Sequence, residues 1–256
     1  MYKIQEAEML ANNIYRMVVE APRVAQHCLP GQFVIVKADE EGERIPLTIC
    51  DYDREAGTIT IVFMPIGEST KKMKDLKAGD AFMDFVGPLG QPSEFCSEDI
   101  EELKKKKILF VGGGVGAAPV YPQVKWLHEH GVDADVIIGS KTKDMLILEK
   151  EMEAVSGNYY PCTDDGSYGH AGMVTTMVEE LVEKGNKYDV CIAIGPMIMM
   201  KFVCLLTKKL EIPTVVSMNP IMVDGTGMCG ACRLHVGDEI KFACVDGPEF
   251  DGHLVN

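Results

Sequence analysis

The chain has 256 residues, of which 46% are hydrophobic and 25% are charged, a composition typical of a water-soluble globular protein with room for two small domains. Its 39 acidic and 25 basic side chains give a formal net charge of −14, which argues against binding to nucleic acid or to an anionic membrane surface. The nine cysteines form no dense framework, the N-terminus carries no apolar leader, and the most apolar stretch is broken by Gly195, Pro196 and Lys201. We therefore expect a cytoplasmic protein without a membrane span.

The first ninety or so residues contain short stretches rich in Val, Ile and Phe, separated by turn residues such as Pro30-Gly31. These stretches predict β-strands over residues 14–20, 32–37, 46–50, 58–64 and 81–86, with one short helix over residues 70–76. A small antiparallel barrel closes such a set of strands without leaving exposed edges. We therefore predict a β-barrel domain over residues 1–97.

After a highly charged connector at residues 98–107, interpreted as a solvent-exposed helix face, the pattern changes to alternating strands and helices. The predicted strands cover residues 108–111, 136–139, 159–162, 190–194 and 214–218. The predicted helices cover residues 118–129, 145–155, 173–184 and 197–210. This alternation predicts a five-stranded parallel sheet in an α/β domain over residues 98–218, followed by a glycine-rich third region over residues 219–256.

The first strand of the α/β domain leads into a glycine-rich turn and then a helix. Gly112, Gly114 and Ala117 match the G-x-G-x-x-A spacing, in which glycine allows a tight turn and lets a pyrophosphate approach the helix N-terminus. The motif is weak alone, and a merely tight turn is the alternative, but its strand–turn–helix context favours a dinucleotide site. The predicted contacts in this turn are Gly112, Gly113, Gly114, Val115, Gly116 and Pro119.

Other predicted strands end at the same edge of the sheet with small or polar residues. The second strand ends at Ser140, and Lys141 and Lys143 follow it; they can face a 2′-phosphate or remain solvated, so the sequence does not separate NAD from NADP. Asp164 can cap a turn or accept a ribose hydroxyl. The methionines that follow Pro196 favour core filling over redox chemistry. The predicted contacts at this edge are Ser140, Asp164, Asp165, Gly195, Pro196 and Met197.

Two segments of the barrel half carry groups suited to phosphate and to a flavin. Arg44 supplies a cation ahead of Pro46, and Thr48 supplies a hydroxyl. Gly67 opens a helix whose backbone N–H groups and nearby hydroxyls can hold a phosphate. Taken singly, these residues are also typical of a surface arginine and a helix N-cap.

The third region contains Cys229 and Cys232 in a C-x2-C spacing, with Cys244 further on and Asp224 before them. Three soft ligands on a short glycine-rich segment can bind an iron–sulfur centre. Three thiolates and one carboxylate can equally bind zinc in a tetrahedral structural site, and the spacing excludes neither.

Together these segments resemble the ferredoxin–NADP reductase superfamily over essentially the whole chain. The matching motifs are R-x-P-[LIY]-[ST] at residues 44–48, G-x-[GS]-T at 67–70, G-G-G-x-G-x-A-P at 112–119 and G-P-x-x-M at 195–200. The resemblance implies that residues 1–97 bind FAD and residues 98–218 bind NAD(P), with Thr48 beside the reactive flavin nitrogen as the nearest residue to a catalytic contact. The implied FAD contacts are Arg44, Pro46, Leu47, Thr48, Val62, Phe63, Met64, Gly67, Ser69 and Thr70.

The cysteine segment resembles the iron–sulfur electron-transfer branch of this superfamily. In that branch four cysteines hold a [2Fe–2S] cluster: three are spaced C-x4-C-x2-C, and the fourth lies further along the chain. Asp224 occupies the first of those positions here, which is more similar to the small subunit of NADH-dependent ferredoxin:NADP⁺ oxidoreductases, flavin-based bifurcating transhydrogenases also known as sulfide dehydrogenases. The resemblance implies a [2Fe–2S] cluster on Asp224, Cys229, Cys232 and Cys244. It also implies FAD and NAD(H), with NADP(H) still possible.

The same resemblance implies a heterodimer with a large, glutamate-synthase-like flavin and [4Fe–4S] subunit, and ferredoxin as an indirect partner. Hydride would pass between NAD(H) and the flavin, and single electrons would pass through the cluster, without a general acid or base. One alternative is the electron-transfer subunit of an NAD-dependent dihydroorotate dehydrogenase, against which Asp224 counts. Another is a zinc-stabilised nucleotide-binding module without turnover.

Overall fold

The N-terminal region of the chain is an antiparallel β-barrel. The structure is a computed structural model that describes residues 1–255; Asn256, the last residue of the predicted cluster segment, lies outside the described residues. The barrel strands are β1 (Tyr2–Ala11), β2 (Ile14–Glu20), β3 (Phe33–Lys37), β4 (Ile45–Asp53), β5 (Thr58–Phe63), β6 (Ala81–Phe82) and β7 (Asp84–Leu89). Two short helices, α1 (Pro22–His27) and α2 (Glu68–Met73), connect them.

The barrel closes because one extended stretch of chain serves both ends of the sheet. The strand order is β6-β1-β2-β5-β4-β3-β7, and only Met83 separates β6 from β7. This stretch pairs with β1 at its start and with β3 along the rest, so no long edge is left unpaired. Strand β1 was not predicted, because Ile4 is its only buried residue and its sequence lacks an apolar run.

The second region is a mainly parallel sheet covered by helices on both faces. Its strands are β8 (Ile108–Gly113), β9 (Ala134–Ser140), β10 (Asn158–Thr163), β11 (His170–Ala171), β12 (Val190–Ile194) and β13 (Thr214–Ser217). The helices are α3 (Ile100–Leu103), α4 (Ala117–Glu129), α5 (Glu149–Val155), α6 (Val174–Glu183) and α7 (Met197–Lys209). The charged connector therefore holds only the short α3, and the predicted helix near residue 145 begins at Glu149.

The predicted five-stranded parallel sheet is present and is extended at both edges. The observed order is β11-β10-β9-β8-β12-β13-β16, in which β11 is parallel and β16 (Glu249–Asp251) is antiparallel. Both added strands are only two or three residues long and contain no apolar run, so no sequence period marks them. The remaining strands, β14 (Arg233–Val236) and β15 (Glu239–Phe242), form a hairpin in the third region.

The third region is joined both to the barrel and to the mainly parallel sheet. Through β16 it forms an edge of the mainly parallel sheet, and the N–H of Gln91, just after the barrel, donates to the Gly247 carbonyl at 2.7 Å. Cys232, Cys244 and Phe250 share one buried apolar cluster with Phe33 and Ile35 of the barrel. The segment that carries the cysteines is therefore held on both sides.

The barrel and the α/β domain also pack directly on each other through α4. Ile14, Cys50 and Val62 of the barrel belong to the same buried cluster as the inner face of α4, and Lys125 Nζ lies 2.8 Å from Asp51 Oδ1. Within residues 1–255, none of the helices combines the length and the hydrophobicity that crossing a membrane requires.

Candidate nucleotide, flavin and cluster sites

The glycine-rich turn after β8 is shaped for an anion. Gly114 has a φ of +55°, and a side chain built there would project into open space. Gly116, by contrast, lies so close to the Ile194 carbonyl oxygen that a Cβ atom would collide with it. Helix α4 starts at Ala117 directly after a short 3-10 turn over Gly114–Gly116, and the Ala117 N–H donates to the Gly114 carbonyl. No side chain caps either start, so the positive end of the helix dipole faces the place where a phosphate group can bind.

The turn lies at the point where the sheet changes direction. Strand β8 has β9 on one side and β12 on the other, and Gly113 pairs with Gly139 while Gly112 pairs with Ile194. A Cβ atom on Gly195 would be 3.0 Å from the Gly113 nitrogen. In open α/β sheets, ligands bind in the crevice at such a switch point, outside the carboxyl ends of the strands. The structure thus brings together the ends of β8, β9 and β12 that the sequence indicated.

The outer residues of this edge differ in their freedom to bind a ligand. The Ser140 hydroxyl donates to the Thr142 carbonyl at 2.7 Å, and the Asp165 carboxylate accepts the Ser167 N–H at 3.0 Å. Bonds from Ser167 lower the pKa of Asp165, so it is an ionised turn cap. Asp164 is exposed, and its side chain is free for a ribose hydroxyl.

The start of α7 is open to solvent. Met197 is 71% exposed, so core filling was the wrong interpretation for this methionine, whereas Met200 is buried and Met199 packs against the core. Gly195, Pro196 and Met197 therefore lie beside the turn with a large apolar side chain pointing outwards.

In the barrel, the segment that contains Arg44 and Thr48 has one cation that is hydrogen-bonded within the protein and one hydroxyl that is not. Arg44 Nε donates to the Val223 carbonyl at 3.0 Å, and Arg44 Nη1 lies 3.3 Å from Asp84 Oδ2. Thr48, half-buried in β4 opposite Phe33, makes no side-chain hydrogen bond with residues 1–255. Its hydroxyl is therefore available to a ligand.

The two predicted flavin segments lie next to each other. The Ser69 hydroxyl donates to Glu43 Oε2 at 3.0 Å, which places the start of α2 beside the residue that precedes Arg44. The Thr70 hydroxyl accepts the Gly67 N–H at 3.1 Å, so Thr70 caps the helix itself. Apart from its chain neighbours, no atom of residues 1–255 lies within 4 Å of a Cβ atom built on Gly67, so a ligand has room beside this turn. These residues fit a phosphate-bearing flavin.

Three further predicted flavin contacts lie at the end of β5 and differ in burial. Val62 is 5% exposed and packs in the core shared with the α/β domain, and Phe63 is 2% exposed and stacks on Tyr15 with ring centroids 6.0 Å apart. Only the backbone of these two residues can reach a ligand. Met64 and, in β4, Pro46 and Leu47 are half-buried.

In the third region the structure brings together two of the four predicted metal ligands. Cys232 Sγ and Cys244 Sγ are both buried and lie 3.3 Å apart, and the Cys244 N–H donates to Cys232 Sγ at 3.5 Å. Two thiolates bound to one tetrahedral metal ion at 2.3 Å would lie about 3.8 Å apart, so this pair fits a shared metal with a small adjustment. Burial is the main reason that the pKa of Cys244 is raised to about 11 without a metal.

The other two predicted ligands face the loop. Asp224 Oδ1 accepts the Thr226 N–H at 3.0 Å, and Asp224 Oδ2 accepts the Cys229 N–H at 2.8 Å. The bond from Thr226 has the largest effect, and together these bonds lower the pKa of Asp224 to about 2, so the carboxylate is charged at neutral pH. Cys229 is exposed. Among the described residues, no three His, Cys, Asp or Glu side chains already converge on one metal position.

A polar cluster that no motif indicated connects the three regions. The Ser93 hydroxyl and the Gln123 amide donate to Glu249 Oε1 at 3.0 and 2.8 Å. Ser93 follows the barrel, Gln123 is on α4, and Glu249 is on β16. Burial raises the pKa of Glu249 to about 7, and the buried Gln123 Oε1 lacks a donor within residues 1–255. A protonated Glu249 would carry an O–H donor that the ionised carboxylate lacks.

Comparison with known proteins gives two family matches. The model of the iron-sulfur cluster binding domain of dihydroorotate dehydrogenase B matches residues 219–256, and that of the oxidoreductase NAD-binding domain matches residues 110–205. An uncharacterized protein of Clostridium beijerinckii is 65% identical over 100% of this chain and 87% of its own length. A homolog of the electron transfer subunit of dihydroorotate dehydrogenase B (NAD(+)) from Thermotoga maritima is 45% identical over 96% of this chain and 84% of its own length.

A solved structure is also similar over the whole chain. It is that of an NADH-dependent reduced ferredoxin-NADP oxidoreductase, described for its insights into flavin-based electron bifurcation. The matched chain is 42% identical, with a TM-score of 0.92 over 100% of this chain and 90% of that chain.

Proposed function

Because the chain belongs to the family of the electron transfer subunits of dihydroorotate dehydrogenase B, we propose that it is a flavin and iron–sulfur oxidoreductase subunit that exchanges hydride with NAD(H) and passes single electrons to a partner subunit. One observation carries the proposal: the thiols of Cys232 and Cys244 lie 3.3 Å apart in a segment that shares its core with Phe33 and Ile35 of the barrel. A metal–sulfur site there adjoins the barrel that would hold the flavin.

At the nucleotide end, the chain's own groups bind and orient. The backbone N–H groups after Gly114 would hold the pyrophosphate, and Asp164 is available to a ribose hydroxyl. The close approach of Gly116 to Ile194 keeps the backbone of the turn near the sheet edge. NAD(H) is the nucleotide we propose, and NADP(H) is the second candidate because Lys141 is exposed at the end of β9.

At the barrel end, Arg44 and the start of α2 would hold the phosphates of FAD, and the free hydroxyl of Thr48 would donate a hydrogen bond to its ring system. A bound flavin and a [2Fe–2S] cluster would supply the conversion of two-electron hydride chemistry into single-electron transfer. Because hydride transfer requires no proton from a side chain, the protein's task is positioning. The packing of Cys50 and Val62 against α4 fixes the barrel relative to the nucleotide sheet.

For the cluster we propose Asp224, Cys229, Cys232 and Cys244 as ligands. Cys232 and Cys244 already form a pair, and the loop that carries Asp224 and Cys229 bends through three glycines with positive φ, Gly225, Gly227 and Gly230. Asp224 would exchange its two backbone N–H bonds for the metal. All nine cysteines are free thiols, which supports a reducing cytoplasm as the compartment.

We propose a large flavin and [4Fe–4S] subunit as the partner, forming a bifurcating transhydrogenase for which ferredoxin is an indirect partner. Asp224 in place of a cysteine and the 42% identity to the bifurcating oxidoreductase support this choice. The second candidate is the electron transfer subunit of a dihydroorotate dehydrogenase, which the relative in Thermotoga maritima supports.

The test of cofactors uses protein purified and handled anaerobically. We expect flavin absorbance that NADH bleaches, acid-labile sulfide, and an electron paramagnetic resonance signal from the reduced cluster. Cys232→Ser should abolish the signal while NADH still bleaches the flavin, and the matched control Cys204→Ser should retain both. A colourless protein that contains zinc would refute the proposal and favour a structural metal site.

The partner and the fourth ligand need separate tests. The subunit that co-purifies from the native host should be glutamate-synthase-like; a barrel-type dihydroorotate dehydrogenase would establish the second candidate instead. Asp224→Cys should change the resonance spectrum and the reduction potential of the cluster. An unchanged spectrum and potential would mean that Asp224 only shapes the loop.

A further inference from the structure

The outward face of α7 carries an apolar stripe that the rest of the protein leaves uncovered. Ile198, Phe202 and Leu205 are 61%, 54% and 49% exposed. Their spacing of four and three residues places them on one side of the helix. Single exposed apolar residues are common, but three large ones in a row on a helix indicate a contact surface.

The charge beside this stripe has the opposite sign to that of the chain. Lys201 and Lys208, seven residues apart, follow one flank of the stripe, and Lys209 lies at its C-terminal end. No carboxylate of residues 1–255 forms a salt bridge with any of the three, although the chain as a whole has a net charge of −14. We call Ile198, Phe202, Leu205 and these three lysines the α7 patch.

We propose that the α7 patch docks an acidic, amphipathic segment of another protein. Two carboxylates about 10 Å apart would match Lys201 and Lys208, which two helical turns separate, and apolar side chains between them would cover the stripe. Charge complementarity selects the acidic partner, because the three lysines lack carboxylates of their own.

Other occupants fit the patch less well. Two copies of α7 packed face to face would bring lysines together, which is repulsive. An anionic membrane would attract the lysines but would be repelled by the net charge of −14. One helix face also buries less than the roughly 800 Å² per partner of a stable complex, so the patch would be one part of a larger interface.

The side of α7 opposite the patch is buried and packs on the third region. Near the C-terminal end of α7, the Thr207 hydroxyl lies 3.1 Å from His253 Nε2 in the third region. The α7 patch is defined by exposed apolar side chains and by unpaired lysines, so docking on it does not depend on which cofactors the protein binds.

The experiment is site-specific photo-crosslinking of the full chain in the complex isolated from its native host. The photoreactive residue p-benzoylphenylalanine replaces Phe202, and in a matched control it replaces Glu179, which is exposed on the neighbouring α6. Mass spectrometry then identifies the crosslinked peptide. We expect a peptide from another protein in which at least two carboxylates flank apolar residues, and much less product from position 179.

Charge-reversal variants test the proposed chemistry in the same assay. Lys201→Glu with Lys208→Glu should lower the yield of that product roughly tenfold, whereas Lys201→Arg with Lys208→Arg should retain it. Unchanged NADH-driven flavin bleaching and melting temperature would confirm that the variants fold. A product with a second copy of this chain or with lipid, equal yield at position 179, no product, or insensitivity to charge reversal would overturn the proposal.

Discussion

Glu249→Gln should stabilise the protein in mildly alkaline solution. In the folded protein Glu249 Oε1 accepts bonds from Ser93 and Gln123, and the buried oxygen of Gln123 has no donor. A protonated carboxyl carries an O–H donor and no charge, whereas an ionised one lacks the donor and places a charge in a partly buried site. Glutamine keeps the acceptor and always carries N–H donors, so the variant resembles the protonated state at every pH.

The expected magnitude follows from proton linkage. The pKa of Glu249 is raised from 4.5 to about 7, chiefly by burial, so the folded protein holds this proton more tightly than the unfolded chain does. The stabilisation is therefore complete below pH 4.5, is lost as the pH rises to about 7, and stays lost above. A pKa difference of this size corresponds to about 3 kcal/mol. We expect the variant to exceed the wild type by up to that amount at pH 8 and to differ little near pH 4.5.

The assay is urea unfolding followed by circular dichroism at pH 5 and pH 8, with the wild type and the variant measured in parallel. Glu183→Gln serves as the control, since Glu183 is an exposed carboxylate at the end of α6 that forms no salt bridge within residues 1–255. Its free energy of unfolding should follow that of the wild type at both pH values. The reasoning is refuted if Glu249→Gln is no more stable than the wild type at pH 8, or if the advantage is the same at pH 5.

Three further predictions concern the turn, the domain interface and the thiols. Gly116→Ala should weaken NADH binding tenfold or more, because its methyl group would strike the Ile194 carbonyl; an NADH titration of flavin bleaching with unaltered affinity would contradict this. Lys125→Met should lower the free energy of unfolding by roughly 1 kcal/mol by removing the half-buried pair with Asp51, and less at high salt; urea unfolding at two salt concentrations checks both points. In protein stripped of metal, iodoacetamide at pH 8 should label Cys229 first, because the other thiols are buried or half-buried; peptide mass mapping that finds another cysteine labelled faster would refute it.

Much of the α/β domain was predictable because neighbouring residues in the sequence determine its strands and its glycine-rich turn. The three central strands β8, β9 and β12 are short, mostly buried apolar runs. The turn after β8 has glycine at Gly114, where φ is positive, and at Gly116, where the backbone of Ile194 leaves no room for a side chain. The barrel was predictable from its apolar strand runs and the turn residues between them, although β1 was missed. These expectations about the fold are confirmed.

The features that were not predicted depend on contacts between distant residues. Strand β1 is defined by its pairing with β2 and β6, and β16 by its pairing with β13. Glu249 becomes a partly buried, hydrogen-bonded acid only because Ser93 and Gln123, 156 and 126 residues away in sequence, meet it. The motif at residues 44–48 predicts a ligand contact for Arg44, but it could not indicate that the Arg44 side chain binds the carbonyl of Val223, 179 residues away.

Strand β16 has a consequence for how such proteins can change over evolutionary time. It covers the open side of β13, so deleting the redox segment would also expose the backbone of Val215 and Val216 and remove the partner of Ser93 and Gln123. An uncovered strand of this kind invites pairing between chains and aggregation. A lineage that dispensed with its metal centre would thus be expected to retain the last dozen residues as scaffolding, and would lose cysteines before it lost length.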